Sequence, residues 1–117
     1  DDCLRSVANA MESVVTEMNN ENLTTNAFAS RYGGEEFAVV IPHASGEAYL
    51  QSAARILDAL RKMNLPHEKN AEWGIVTASI GACRLEIASG QVKTLFREAD
   101  AALYRAKDAG RNRVELA

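Results

Sequence analysis

The stretch Arg31-Tyr32-Gly33-Gly34-Glu35-Glu36-Phe37-Ala38-Val39-Val40-Ile41-Pro42 sets the reading of the whole chain. Phe28 to Tyr32 has the make-up of a short strand, while Glu36 to Ile41, after its opening acid, is apolar on both faces and stops at Pro42. Between them Gly33-Gly34 reads as a two-residue turn, so the segment is expected to be a hairpin with one buried arm. The glycines remove bulk from the tip, so a large ligand can approach bare backbone while two carboxylates face the same place. The same residues also suit a plain hairpin with solvated acids at its mouth, and the flanking sequence has to separate the two.

Before the hairpin, Leu4, Val7, Ala8, Met11, Val14, Val15 and Met18 recur at three- and four-residue steps, one apolar stripe of an amphipathic helix. Asn19 to Asn26 is a polar connection. After the hairpin, Ser45 is placed to cap a helix with Leu50, Ala53, Ala54, Leu57 and Leu60 on its core face, which should end near Asn64-Leu65-Pro66. From Ile75 to Cys83, Val76, Ala78, Ile80 and Ala82 alternate with Thr77, Ser79 and Gly81, the pattern of a strand that packs on that helix. Val92, Leu95, Phe96, Ala99, Leu103 and Ala106 mark a last helix, stopped by Gly110 at its C′ position and followed by a strand at Arg113 to Leu116. The order helix, hairpin, helix, strand, helix, strand predicts an α/β (α+β) fold with helices on a mostly antiparallel sheet, in one domain. A helix that opens at residue 1 without a cap further predicts that a strand and a loop precede it.

With 117 residues, 47% hydrophobic and 25% charged, the composition is that of a globular domain. A formal net charge of -3 argues against broad binding to DNA or RNA, while leaving room for a local basic pocket. The sequence contains neither an apolar run of membrane-spanning length nor a basic-then-apolar leader, so a cytoplasmic location without a membrane span is expected. Cys3 and Cys83 lack metal-type spacing and read as reduced, half-buried thiols; His43 and His67 stand singly, which argues against zinc. Trp73 reads as packing, and Arg31, Arg55, Arg61, Arg97 and Arg105 as surface or ion-pair residues.

Glu35 and Glu36 carry the chemical argument. In a regular strand consecutive side chains point to opposite faces, but near a turn both carboxylates can approach one metal, or one can hold metal while the other orients a nucleophile. Mg²⁺ suits such a place, since it takes a carboxylate or two and completes its shell with phosphate and water. The second constellation is Lys107-Asp108-Ala109-Gly110-Arg111-Asn112-Arg113. Lys107 and Arg111 are four apart, so an ammonium and a forked guanidinium can converge on the same phosphates, or simply favour the negative end of the helix dipole.

Taken together, Arg31-Tyr32-Gly33-Gly34-Glu35-Glu36-Phe37, Val76-Thr77-Ala78-Ser79-Ile80-Gly81 and Ala99-Asp100-Ala101-Ala102-Leu103-Tyr104-Arg105-Ala106-Lys107-Asp108-Ala109-Gly110-Arg111-Asn112-Arg113 make the chain resemble the GGDEF family of diguanylate cyclases, in a GGEEF variant. The resemblance runs over essentially the whole chain. It implies a palm-like α/β domain related to nucleotidyl cyclases, which joins two GTP molecules into cyclic di-GMP with release of pyrophosphate. It also implies Mg²⁺ (or Mn²⁺) as cofactor, a homodimer for catalysis, and a sensor or phosphodiesterase domain as possible neighbours in the parent protein.

Residue by residue, the resemblance implies that Gly33 and Gly34 lie against ribose and phosphates, and that Glu35 binds metal and takes the proton of the 3′-hydroxyl. Glu36 completes the acidic site as second metal ligand or alternative base, Lys107 and Arg111 hold the β- and γ-phosphates, and Asp1 reads the guanine edge. Residues 1–117 are then a GGDEF domain lacking the family's first strand and following loop. The family's first metal-binding Asp, a lysine and a guanine-pairing Asn belong to that segment, so this chain alone should be a poor catalyst. The positions of the family's product-inhibition Arg-x-x-Asp are occupied by Thr24 and Ala27, which predicts loss of that feedback. The alternative reading is a catalytically inactive GGDEF domain that senses GTP or serves as a scaffold.

Overall fold

The computed structural model describes residues 2–33, 36–63, 79–85 and 92–117. Its first element, helix α1 (Asp2–Asn20), turns Met11, Val14, Val15 and Met18 into the core, as the stripe predicts. The helix ends in a Schellman turn: the Leu23 N–H donates to Met18 O (3.0 Å) and the Asn22 N–H to Asn19 O (3.1 Å), with Asn22 in the left-handed region at φ 61°. Asn19 then ties down the connection to the next strand. Its Oδ1 accepts from the Ala27 N–H (3.1 Å) and from the Thr24 hydroxyl (2.7 Å), and its Nδ2 donates to Ala27 O (3.0 Å). Thr24 and Ala27 are both buried, so one carboxamide satisfies groups that water cannot reach.

Strands β1 (Phe28–Gly33) and β2 (Glu36–Val40) pair antiparallel, from Phe28↔Val40 to Gly33↔Glu36. The ladder corrects the sequence reading at one point. Gly33 is the last paired residue of β1 rather than a turn residue, because the register shifts between Arg31 and Gly33 and makes Tyr32 an extra residue on that strand. Residues 34–35 lie outside the described residues.

Helix α2 (Gly46–Lys62) starts where Ser45 Oγ accepts from the Ala48 N–H (3.0 Å), the expected cap. Its inward face differs from the predicted one: Ala48, Ser52, Ala53, Ile56, Leu57 and Leu60 are buried, whereas Leu50 is 52% exposed and Ala54 is also exposed. The face is rotated because small Ala48, Ser52 and Ala53 allow close approach of neighbouring elements, and a reading that weighs only apolar character passes over Ser52. The predicted end of this helix at Asn64-Leu65-Pro66, Trp73, His67 and the first half of the Ile75–Cys83 strand lie outside the described residues.

Strand β3 (Ser79–Ala82), helix α3 (Val92–Asp108) and strand β4 (Arg113–Leu116) complete the order. β3 and β4 run parallel, Ser79↔Arg113 to Ala82↔Leu116, because α3 returns the chain to the same end of the pair. The expected sheet thus takes the form, among the described residues, of two two-stranded ladders, one antiparallel and one parallel.

Alternation along the strands sorts the helices onto two faces. Ile80, Phe37 and Val39 pack on the cluster formed by α1 and α2. Gly81, next to Ile80, faces α3 so closely that a methyl group there would overlap the backbone of Leu103 and Ala99. Ala102 and Ala106 are fully buried on α3, the small residues such an approach requires. By the same alternation Glu36, next to inward Phe37, projects away from the α1–α2 face.

Candidate functional site

Lys107 of α3 meets Glu36 of β2. The Lys107 ammonium Nζ lies 3.9 Å from Glu36 Oε1, with the two side chains 44% and 50% exposed. The separation is well beyond the ~2.8 Å of a tight charge-assisted hydrogen bond, so neither group is committed to the other and both keep valences for a ligand. An exposed pair of this kind adds little to stability, which leaves its chemistry as the reason to look further.

Arg111 enters the same corner by way of the end of α3. The Arg111 N–H donates to Ala106 O (2.9 Å) and the Gly110 N–H to Lys107 O (3.3 Å), a Schellman turn with Gly110 at φ 118°. Arg111 (φ 64°) and Asn112 (φ 48°) continue in the left-handed region. This brings the Arg111 guanidinium back over the helix end, where Nη1 donates weakly to Lys107 O (3.4 Å). Lys107 and Arg111 therefore share one helix terminus, as their spacing predicts, and Arg111 also serves a terminal carbonyl.

Of the other residues singled out in the sequence, Gly33 pairs with Glu36 and so belongs to the same end of the hairpin. Asp1, Gly34 and Glu35 lie outside the described residues. On the α1 face of the hairpin a cavity of about 480 Å³ is lined by apolar Leu4, Met11 and Phe37 and by charged Arg5, Glu12 and Arg31. It lies between the first half of α1 and the hairpin, on the face of β2 opposite to the one from which Glu36 projects, and neither Glu36 nor Lys107 lines it. For a metal, the described residues provide Glu36 as a hard oxygen donor, and among them no cluster of three or more His, Cys, Asp or Glu stands ready. One carboxylate with a second acid adjoining it in sequence fits Mg²⁺, which draws most of its shell from phosphate and water, and does not fit an all-protein cage.

Comparison with known proteins places the chain in a family. The family model of the diguanylate cyclase GGDEF domain matches residues 1–113. The chain belongs to the GGDEF family. It is 32% identical to the diguanylate cyclase VdcA of Vibrio cholerae over 97% of its length, and 36% identical to the diguanylate cyclase DosC of Escherichia coli over 99%. It spans 31% and 23% of those proteins, which extend well beyond the shared domain. Among solved structures it resembles the coiled coil and GGDEF domain of DgcB from Caulobacter crescentus in complex with c-di-GMP, with TM-score 0.76 and 31% identity over 100% of this chain and 57% of that one. The GGDEF domain of the same protein, also with c-di-GMP, gives TM-score 0.67 at 32% identity over 95% of this chain and 63% of that one. This GGDEF domain has, among its described residues, no helix long and apolar enough to cross a membrane.

Two contacts of this GGDEF domain have no signal in the sequence. Arg61, expected to be a surface or ion-pair residue, is exposed and in addition donates from Nε to Asn112 Oδ1 and from Nη2 to Asn112 O, both at 2.7 Å. Asn19, expected to be part of a polar connection, closes the loop before β1. The first joins residues 51 apart and the second residues 8 apart across a loop, and helical or strand periodicity reveals neither. Arg55 does behave as an ion-pair residue, at 2.6 Å from Glu21 and 3.7 Å from Glu17. Cys83 is a free, half-buried thiol as expected; burial and then the nearby Glu98 carboxylate push its pKa up, which suits an inert thiol rather than a nucleophile.

Proposed function

We propose that this domain belongs to the catalytic part of a Mg²⁺-dependent diguanylate cyclase, which condenses two GTP into one cyclic di-GMP and two pyrophosphates. The observation that carries the reading is the approach of Glu36 and Lys107, an acid from the Gly-Gly-Glu-Glu hairpin and a cation from the Lys-x-x-Gly-Arg-Asn helix end, in one half-open corner. The two signatures meet where a charged triphosphate needs both signs of charge.

In this reading Lys107 and Arg111 hold the β- and γ-phosphates, and Gly33 and Gly34 leave room for ribose and phosphate. Asp1, at the start of α1, reads the guanine edge. Glu35 and Glu36 hold Mg²⁺, or Mn²⁺, and one of them accepts the proton of the attacking 3′-hydroxyl. The metal, when bound, offsets phosphate charge and lowers the barrier to attack at the α-phosphorus. Each 3′-hydroxyl attacks the α-phosphorus of the other GTP, a P–O bond to pyrophosphate breaks, and two such steps close the ring. Catalysis of this kind rests on positioning and charge stabilisation. Because each site holds one GTP, two domains face each other as a homodimer.

Feedback inhibition through the family's Arg-x-x-Asp site is absent in this reading. Thr24 and Ala27 occupy its positions, and both are buried and bound to the Asn19 carboxamide, so neither offers product a charged side chain.

The test is turnover of GTP by the full-length protein with Mg²⁺. Cyclic di-GMP should form at a rate that rises faster than linearly with dilute enzyme, and Glu36→Gln should lower it about a hundredfold or more, as expected for removing a group that acts on the transition state. The 117-residue stretch alone should show no turnover. Binding of GTP without product by the full-length protein would favour the alternative, a regulatory module that senses GTP or serves as a scaffold.

A further inference from the structure

The turn that carries Arg111 is an unusual piece of backbone: Gly110, Arg111 and Asn112 all have positive φ, at 118°, 64° and 48°. Glycine adopts this region freely and asparagine tolerates it, but arginine does so only where surrounding contacts hold it. Within the turn, the Arg111 N–H reaches Ala106 O at 2.9 Å and Arg113 Nε reaches Arg111 O at 3.0 Å. From outside it, Arg61 in the last turn of α2 grips Asn112 by both its side-chain and main-chain oxygens, at 2.7 Å each. One planar fork on two acceptors of one residue fixes direction as well as distance.

We infer that Arg61 is a positioning residue for the triphosphate site, holding Asn112 from α2 so that Arg111 stays over the α3 terminus beside Lys107. It acts through Asn112 rather than on the ligand. Lysine cannot replace it, since an ammonium offers a point charge without the fork. The inference rests on the reading of Lys107 and Arg111 as phosphate-holding groups, and the test separates the two.

The experiment is equilibrium titration of the full-length protein, as wild type, Arg61→Ala, Arg61→Lys, Arg111→Ala and the double alanine variant, with Mg²⁺-GTP and with guanosine. Arg61→Ala should weaken Mg²⁺-GTP about tenfold, the scale of a lost hydrogen-bond pair to a charged group, with guanosine binding unchanged. Arg61→Lys should behave as Arg61→Ala does, although it keeps the charge. The double variant should bind no more weakly than Arg111→Ala alone, since the clamp has nothing to position once Arg111 is gone. If Arg111→Ala binds Mg²⁺-GTP as the wild type does, the phosphate assignment itself fails. If Arg111→Ala is weakened but Arg61→Ala is not, or Arg61→Lys restores full affinity, or the two losses add, the positioning role is overturned. An equal loss for guanosine overturns it too, because a purely structural effect would not single out the phosphates.

Discussion

Helices α1 and α3 both close in a Schellman turn, with Asn22 in the left-handed position after α1 and Gly110 after α3. After α1 the chain goes inward. Thr24 and Ala27 are buried, and the Asn19 carboxamide answers their hydroxyl, N–H and carbonyl groups. After α3 the chain stays at the surface: Lys107 remains half-open beside Glu36, Arg111 is exposed, and the brace comes from Arg61 on another helix. The same backbone device thus serves a closed corner and an open one. What differs is whether the polar groups are used up internally, and that difference separates residues that hold the fold from residues free to meet a ligand.

The comparison breaks most readily at Asn19. Asn19→Ala removes three hydrogen bonds and leaves buried polar groups unanswered, so it should lower unfolding free energy by about 3 kcal/mol in urea titration. Affinity for Mg²⁺-GTP, measured where the protein is still folded, should not change. A cost under about 0.5 kcal/mol, the range of ordinary surface substitutions, would show that the α1 corner is not closed in the sense argued.

A smaller effect is expected at the C′ positions themselves. Gly110→Ala places a Cβ in the left-handed region and should cost about 1 kcal/mol, while Asn22→Gly relieves the same restriction and should be neutral or slightly stabilising. The two variants, compared by thermal unfolding, also differ in ligand binding, since only Gly110 lies beside Arg111. A loss of GTP affinity in Asn22→Gly would blur the division between the corners.

Much of the fold is legible in the amino-acid sequence alone. The α1 stripe, the Ser45 cap, the hairpin, the Gly110 stop and the final strand all follow local rules of period and capping, and each is where those rules put it. The failures have one physical origin, which is that faces are chosen by neighbours. Ser52 turns inward and Leu50 outward because α2 must approach its neighbours closely, and Gly33 joins the strand because of a bulge that its own sequence does not announce. In the open corner, Lys107 and Arg111 are legible as a pair and Glu36 as their acid. Arg61 is not, since its partner Asn112 lies 51 residues on and carries no motif that points back to α2.

The smallest expected effect concerns pH. Burial, and then the neighbouring Cys83, raises the pKa of the Tyr49 phenol from 10.0, and burial, and then Glu98, raises that of the Cys83 thiol from 9.0. Both groups are neutral when protonated, so the folded state holds their protons more tightly than the unfolded state. Their contribution is therefore complete below these unfolded values and is lost as pH climbs through them towards the folded ones. Urea midpoints should fall with rising alkalinity more in the wild type than in a Tyr49→Phe, Cys83→Ala variant. Parallel curves would show that this pair adds nothing to stability.

The central claim is that two signatures far apart in the chain form one nucleotide site at Glu36 and Lys107. Titration of the full-length protein with Mg²⁺-GTP, in wild type and Lys107→Ala, tests it most directly. Affinity should fall by about tenfold or more, the scale of a lost charge-assisted contact to phosphate, with an unchanged urea midpoint because the side chain is exposed. Equal affinity in the two proteins would contradict the account.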